Sequence, residues 1–152
     1  MFLSLPRAFA LSREAFKAGV AGAVKVGDTH SHRWTVQPED TTNRFNLEGY
    51  DILSTPAMIM KMEQTCAEYM EHGLGVQDGY ASVGWKVDIV HTAPLLSGDD
   101  LDVAVTVADV AGTKVYFDMV AAGLDGTVVG KGLHGRAYIP APEEAVAKAQ
   151  GL

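Results

Sequence analysis

The alternation of apolar and polar residues along the chain predicts one long helix and a series of strands. Residues 56–72 repeat with the period of an α-helix, whereas residues 31–37 alternate with the two-residue period of a strand. Four further segments alternate in the same way, at 81–92, 100–110, 114–124 and 127–139. This order of one strand, one helix and four strands predicts an α+β fold, with the helix packed against an antiparallel sheet.

Glycine residues mark where this sheet turns and bends. The predicted strands are separated by turns that contain Ser97-Gly98, Ala111-Gly112 and Asp125-Gly126. The last strand also contains Gly130, Gly132 and Gly135, and glycine inside a strand usually marks a bend or the close approach of another group. We therefore expect the sheet to curl around the helix.

The start of the long helix is marked by proline. Pro56 suits the first helical position, because its missing N–H would have been unpaired there. Thr55 precedes the proline and is pushed out of the helical region, so it is expected to be the N-cap. Gly73 and Gly75 provide a C-terminal stop.

Glu63 is the one charge on the apolar face of this helix. At 100° per residue the polar face consists of Lys61, Gln64, Glu68 and Glu71, and the apolar face of Ile59, Met62, Cys66 and Met70. Glu63 falls within the second set, where an ionised carboxylate is unfavourable unless it is paired. It is either a side chain that bends to the edge of the apolar face or a catalytic carboxylate in a pocket.

His91 is a second polar group that the pattern delivers to an apolar layer. Strand alternation puts it on one face with Val83, Trp85, Val87 and Ile89. It is either a core histidine that bonds a backbone carbonyl or a partner for Glu63. Two buried titratable groups on packed elements favour the catalytic interpretation. His134 shares a face with Arg136, and the sequence leaves its role open.

Composition and charge exclude several other classes of function. The 152 residues are 47% hydrophobic and 20% charged, which is typical of a single globular domain. The net charge of −7 argues against a nucleic-acid partner, and no stretch is long and apolar enough to span a membrane. A single cysteine, Cys66, fits the cytoplasm and is expected to be a packing residue. His30 and His32 have no third ligand nearby in sequence, so we expect no metal site and interpret both as surface residues.

The segments LSTPAMIMKME, VDIVHTAPLLSGDDLDVAVTV and DGTVVGKGLHGRAYI, in this order, resemble hotdog-fold acyl-CoA thioesterases of the fluoroacetyl-CoA thioesterase-like family. The resemblance implies an α+β hotdog fold over residues 26–140, with residues 1–25 as a helical N-terminal extension and 141–152 as a C-terminal tail. It also implies a homodimer or a dimer of dimers, with active sites at the subunit interface. By motif, the active-site threonine, glutamate and histidine of the family fall on Thr55, Glu63 and His91.

These residue types suit hydrolysis of a small acyl-CoA thioester without a cofactor. Glu63 would act as a nucleophile or as a general base, with Thr55 orienting it or His91. We expect substrate contacts from Met58, Met62, Trp85 and Phe45, and from Arg136 as one of several candidate cations for the CoA phosphates. A hotdog-fold acyl-CoA hydratase or dehydratase is the first alternative, and a non-catalytic acyl-CoA-binding protein is the second.

Overall fold

A computed structural model describes residues 11–45 and 51–152, except the side chains of Arg44 and Phe45. The helices are α1 (Arg13–Ala23), α2 (Thr55–Gly73) and α3 (Glu143–Ala149). The strands are β1 (Thr29–Thr35), β2 (Tyr80–His91), β3 (Asp100–Ala111), β4 (Lys114–Gly123) and β5 (Val128–Pro140). Short 3-10 turns occupy Pro38–Asp40, Thr42–Phe45 and Val76–Asp78. The predicted helix and five strands are confirmed, with each boundary within two residues.

The five strands form one antiparallel sheet in the order β1-β3-β4-β5-β2. Helix α2 packs against all five strands. The order leaves β1 and β2 at the two edges, so among the described residues the strand that carries His91 has one side without a partner strand.

The core lies between α2 and the sheet. It takes alternate residues of two central strands, Leu101, Val103, Val105 and Val107 from β3 and Val115, Phe117, Met119 and Ala121 from β4. The helix contributes Met58, Met62, Cys66 and Met70, all fully buried. Burial raises the pKa of the Cys66 thiol to about 12, which fits the packing role expected of it.

The expected glycine turns and close approaches are present. Gly98, Gly112 and Gly126 have φ values of 91°, 65° and 83°, in the left-handed region that favours glycine. A side chain at Gly130 would collide with the thioether of Met58. Glycine there lets the helix approach the sheet closely.

Helix α1 packs on the start of β2. Its N-cap is Ser12, whose Oγ accepts a hydrogen bond from the N–H of Ala15 at 3.1 Å. Phe16 stacks on Tyr80 with ring centroids 4.3 Å apart, and Val20 is fully buried. Neither α1 nor any other helix in the described part of the chain is long and apolar enough to cross a membrane.

The N-cap of α2 is Ser54, so the prediction of Thr55 was wrong. Ser54 has an extended backbone, and its Oγ accepts a hydrogen bond from the N–H of Ala57 at 3.3 Å. Thr55 is instead the first helical residue, just before Pro56. The Thr55 hydroxyl is therefore not used to cap the helix.

Lys61 lies on the buried side of α2, against the prediction of a polar position. Its Nζ lies 2.9 Å from Oδ2 of Asp40, and both side chains are less than 10% exposed. The first 3-10 turn delivers Asp40 to this place, and the Trp34 ring covers the ammonium group at 5.3 Å. The helical period did not reveal this burial, because the partner comes from a segment without periodicity.

A β-bulge changes which residues of β2 face the helix. The register with β5 shifts between Gly84 and Lys86, so Trp85 is the extra residue. Val87, Ile89 and His91 face α2 as predicted, because they pair with inward-facing positions of β5.

The prediction that Val83 and Trp85 also face the helix was wrong. Trp85 packs edge-on against Tyr116 and lies under Lys114, both on the outer face of the sheet. Before the bulge, the helix-facing residues are the even-numbered Ser82 and Gly84.

Candidate active site

Thr55 and His91 meet where the start of α2 lies over the end of β2. The hydroxyl oxygen of Thr55 is 2.8 Å from Nδ1 of His91. The other ring nitrogen, Nε2, is buried and has no hydrogen-bond partner among the described residues. A buried nitrogen without a partner is rare in folded proteins, so this ring has capacity for one more hydrogen bond.

Glu63 reaches the sheet at Gly84. Its side chain is 35% exposed, so it lies at the edge of the apolar face of α2 and not within it. A Cβ added to Gly84 would lie 3.3 Å from Oε1 of Glu63, 3.1 Å from the His134 ring and 3.4 Å from Nη1 of Arg136. The absence of a side chain at Gly84 therefore leaves an opening that these three groups surround.

Arg136 is a buried part of this group and not a surface cation. It is only 9% exposed. Its Nε donates to Oγ of Ser82 at 2.8 Å and its Nη2 donates to the Ser82 carbonyl at 3.1 Å. Burial lowers the pKa of the guanidinium, although the nearby Cys66 and Glu63 act in the opposite direction. The idea of Arg136 as a surface contact for CoA phosphates is thus corrected, while direct contact with substrate stays a prediction.

Within one protomer, Glu63 does not pair with His91. Thr55 and Glu63 are eight residues apart on one helix, which corresponds to about 12 Å along its axis. On β2, Gly84 beside Glu63 and His91 beside Thr55 are seven residues apart, about 23 Å along the strand. Glu63 lies instead beside His134, whose Nδ1 is 3.7 Å from Oε1. The expected three residues therefore form two separate groups in a single chain.

The predicted substrate-binding residues have different locations. Met58 and Met62 are fully buried on the helix, and Met58 lies against Gly130, which pairs with His91. Trp85 lies on the outer face of the sheet, away from Met58 and Met62. Its role in substrate binding stays a prediction. The side chain of Phe45 lies outside the described part of the structure.

A cavity of about 610 Å³ lies at the opposite end of the sheet, between α1 and α3. Its lining includes Phe16, Ile139, Pro140 and Val146. Ile139 and Pro140 pair with the start of β2, whereas His91 is at the end of that strand. The cavity is thus remote from Thr55 and His91, whereas its lining residue Tyr138 lies two positions from Arg136 on β5.

His30 and His32 have a partner that the sequence did not suggest. The Glu68 carboxylate lies between them, 2.9 Å from Nε2 of His30 and 2.8 Å from Nδ1 of His32. Both rings are partly buried, so the description as plain surface residues was incomplete. In the part of the chain that the structure describes, no group of three or more His, Cys, Asp or Glu residues is arranged to hold a metal ion.

The comparisons with known proteins identify the family. Residues 36–142 match the fluoroacetyl-CoA-specific thioesterase (FlK) family. The chain belongs to this family. It is therefore an acyl-CoA thioesterase, and the prediction of the family and of its activity class is confirmed. A search of curated proteins found no match.

Solved structures of hotdog-fold thioesterases share the architecture. A mutant of the fluoroacetyl-CoA-specific thioesterase FlK, solved with fluoroacetate and CoA, is 26% identical with a TM-score of 0.70, covering 77% of this chain and 96% of that chain. A hot-dog-like protein from Thermanaerovibrio acidaminovorans is 27% identical with a TM-score of 0.70, covering 86% and 93%. A thioesterase superfamily member from Thermus thermophilus, 22% identical with a TM-score of 0.69, covers 84% and 89% and supports the fold alone. The predicted hotdog fold is confirmed.

Proposed function

We propose that this thioesterase hydrolyses a small acyl-CoA with Glu63, His91 and Thr55 at an active site shared between two subunits. The observation that carries the proposal is the contact of Thr55 with His91, which leaves Nε2 of His91 buried and available for substrate or water. Both side chains are polar groups brought together by the α2–β2 packing of the fold. FlK, a relative in the same family, was solved with fluoroacetate and CoA, which supports a small acyl group.

Each residue has a role that fits its chemistry. Glu63 attacks the thioester carbonyl and expels the CoA thiolate, giving a mixed anhydride that water then hydrolyses, or it removes a proton from a water that attacks the carbonyl and expels the thiolate. His91 hydrogen-bonds the reacting oxygen or the water through Nε2, while Thr55 fixes the ring through Nδ1. Arg136 is buried next to the Gly84 opening, so one of its N–H groups can stabilise negative charge on the carbonyl oxygen.

The distance between the two groups supports a shared site. Within a protomer about 12 Å of helix separates Thr55 from Glu63. β2 is an edge strand that exposes Val87 and Val90 at 42% and 56%. Exposed apolar edge strands invite pairing with another chain. Antiparallel pairing of two β2 strands would bring the Glu63 of one subunit towards the Thr55 and His91 of the other.

A shared site restricts where this pairing can be centred. In a two-fold dimer, each residue of β2 lies opposite the one equally far on the other side of the axis. If the axis passes at Asp88 and the extra residue Trp85 stays unpaired, Gly84 of one subunit lies opposite the partner's His91, with both on the helix-facing side. The Glu63 carboxylate beside Gly84 would then face the ring that it cannot reach in its own chain.

Mixing inactive variants tests the shared site. Glu63→Gln and His91→Ala should each lose activity, and their heterodimer should regain one intact site. Random exchange makes half of the dimers heterodimers, so about one quarter of the parent activity should return. The matched control mixes His91→Ala with Thr55→Val, whose defects lie in the same half-site, and should regain nothing. No recovery from the Glu63→Gln and His91→Ala mixture would sink the shared arrangement.

A panel of substrates tests the reaction itself. We expect hydrolysis of short saturated acyl-CoAs and no hydration of the matching enoyl-CoA. Glu63→Gln keeps the side-chain volume but removes the charge, and should lower hydrolysis by about 10²-fold or more. A Glu63→Gln protein that matches the parent on every acyl-CoA would remove Glu63 from the mechanism.

Two expectations from the sequence remain part of the proposal. The single cysteine of the chain supports a cytoplasmic location. The division into an extension at 1–25, a hotdog domain at 26–140 and a tail at 141–152 is retained as the working description.

A further inference from the structure

We propose that His134 is a positioning residue that holds the Arg136 guanidinium at the active-site opening through an unprotonated Nε2. The proposal rests on the function proposed above, because it gives Arg136 its orientation towards the reacting group. The sequence left the role of His134 open. In this proposal its side chain does not need to touch substrate. It is completely buried on the helix-facing side of β5.

The hydrogen bonds of His134 assign its tautomer. Nδ1 lies 2.8 Å from the Lys86 carbonyl oxygen, which only accepts hydrogen bonds. Nδ1 must therefore carry the proton. Nε2 lies 3.2 Å from Nη1 of Arg136, which only donates. Nε2 must therefore be the acceptor, so the ring is neutral with its proton on Nδ1.

The surroundings of His134 favour this neutral form. From α2 it is faced by Glu63, and from its own strand by Arg136. On β4 its pairing partner is the apolar Phe117. Burial lowers the pKa of the imidazole and Arg136 acts in the same direction, outweighing the Lys86 carbonyl and the Glu63 carboxylate.

The bulge in β2 makes this arrangement possible. Because Trp85 is the extra residue, the register resumes at Lys86 opposite Gly135 and at Val87 opposite His134. The Lys86 carbonyl thereby comes within reach of the His134 ring. Bulges are common next to active sites, where they redirect a backbone or side-chain group.

Arg136 needs this third contact to have one orientation. Ser82 accepts hydrogen bonds from Nε and Nη2 through its hydroxyl and carbonyl oxygens, and these two bonds fix one edge of the guanidinium. Nε2 of His134 accepts a hydrogen bond from one N–H of Nη1. Nη1 itself lies 3.4 Å from the position that a Gly84 Cβ would have. The second hydrogen of Nη1 remains for an oxygen atom in the opening, such as the thioester carbonyl.

Two substitutions test the roles of the two ring nitrogens of His134 separately. His134→Asn retains a donor at the δ position for the Lys86 carbonyl but has no acceptor at the ε position, where Arg136 donates. His134→Gln retains an acceptor at the ε position but has no δ donor. We expect the Asn variant to lower kcat by about 10-fold to 10²-fold, and the Gln variant to stay within a few-fold of the parent. Met119→Leu, another buried change on the same face of the sheet, is the control for lost packing and should leave kcat unchanged.

Three outcomes would overturn the proposal. One is equal kcat for the Asn and Gln variants, and another is a parent-like kcat for a folded Asn variant while Glu63→Gln is inactive. The third is a ¹⁵N NMR spectrum of the parent at neutral pH in which Nε2 of His134 carries a proton, whereas we expect protonation on Nδ1 alone. A parent that hydrolyses no acyl-CoA would defeat the proposed function, and the NMR measurement would still test the contact between His134 and Arg136.

Discussion

The hydroxyl of Thr55 and Nδ1 of His91 lie 2.8 Å apart although 36 residues separate them in sequence. The contact exists because Ser54, and not Thr55, caps α2. Adjacent hydroxyl residues thus have different tasks, one in the stability of the helix and one in the orientation of a histidine. This division can be tested one residue at a time.

We first predict opposite effects for the two hydroxyl groups. Thr55→Val preserves shape and removes the contact with His91, so kcat should fall while the free energy of unfolding stays near that of the parent. Ser54→Ala removes the cap and should lower stability by about 1 kcal/mol with kcat retained. Thr55→Ser is the control that keeps the hydroxyl. If Thr55→Val hydrolyses acyl-CoA as fast as Thr55→Ser, the contact does not serve catalysis.

The second prediction concerns His91 itself. Nε2 of His91 has no hydrogen-bond partner among the described residues. Removing this nitrogen in His91→Ala therefore deprives no described buried group of a hydrogen bond. We expect kcat to fall by about 10²-fold or more, with little change in melting temperature. If His91 were a core histidine with both ring nitrogens hydrogen-bonded, His91→Ala would lower stability by about 1–3 kcal/mol and leave activity unchanged. Measuring both quantities on one purified variant distinguishes the two roles.

The third prediction concerns the buried pair of Lys61 and Asp40. Lys61→Met keeps most of the side-chain length but removes the charged partner of the buried Asp40 carboxylate, which retains only the hydrogen bond from the Gln37 N–H among those described. We expect the free energy of unfolding to fall by about 3–5 kcal/mol. The double variant with Asp40→Asn should recover part of this loss. Gln64→Met, on the exposed side of the same helix, is the control and should stay within about 0.5 kcal/mol of the parent. Urea unfolding measures all three, and an unchanged Lys61→Met would mean that the pair contributes no stability.

The elements of this fold were predictable because their signals are local. The alternation of strands β2 to β5 and the helical period of α2 each depend on neighbouring residues, so the boundaries agree within two residues. The family motif also pointed to Thr55 and His91, whose side chains lie in contact. Their contact follows from the packing of two elements that were both predicted.

The composition of the site was harder to predict because it depends on one extra residue. A bulge at Trp85 moves Ser82 and Gly84 to the helix side, and apolar residues on both faces hid the change. Gly84 was the available signal, since glycine inside a strand often marks a bulge. The burial of Lys61 had no such signal, because it depends on a partner from an irregular segment.

The last prediction is a pH dependence of stability that His134 causes. Burial holds the folded-state pKa of this ring below its usual value, so between the two pKa values the unfolded chain binds more protons than the folded chain. The contribution of His134 to stability is therefore complete above about pH 6.5 and decreases as the pH falls below it. His134→Gln lacks the titrating group but retains the other four histidines. The stability advantage of the parent over this variant, measured by urea unfolding, should be smaller at about pH 5.5 than at about pH 7.5. An advantage that stays constant or grows on acidification would mean that His134 is not held neutral.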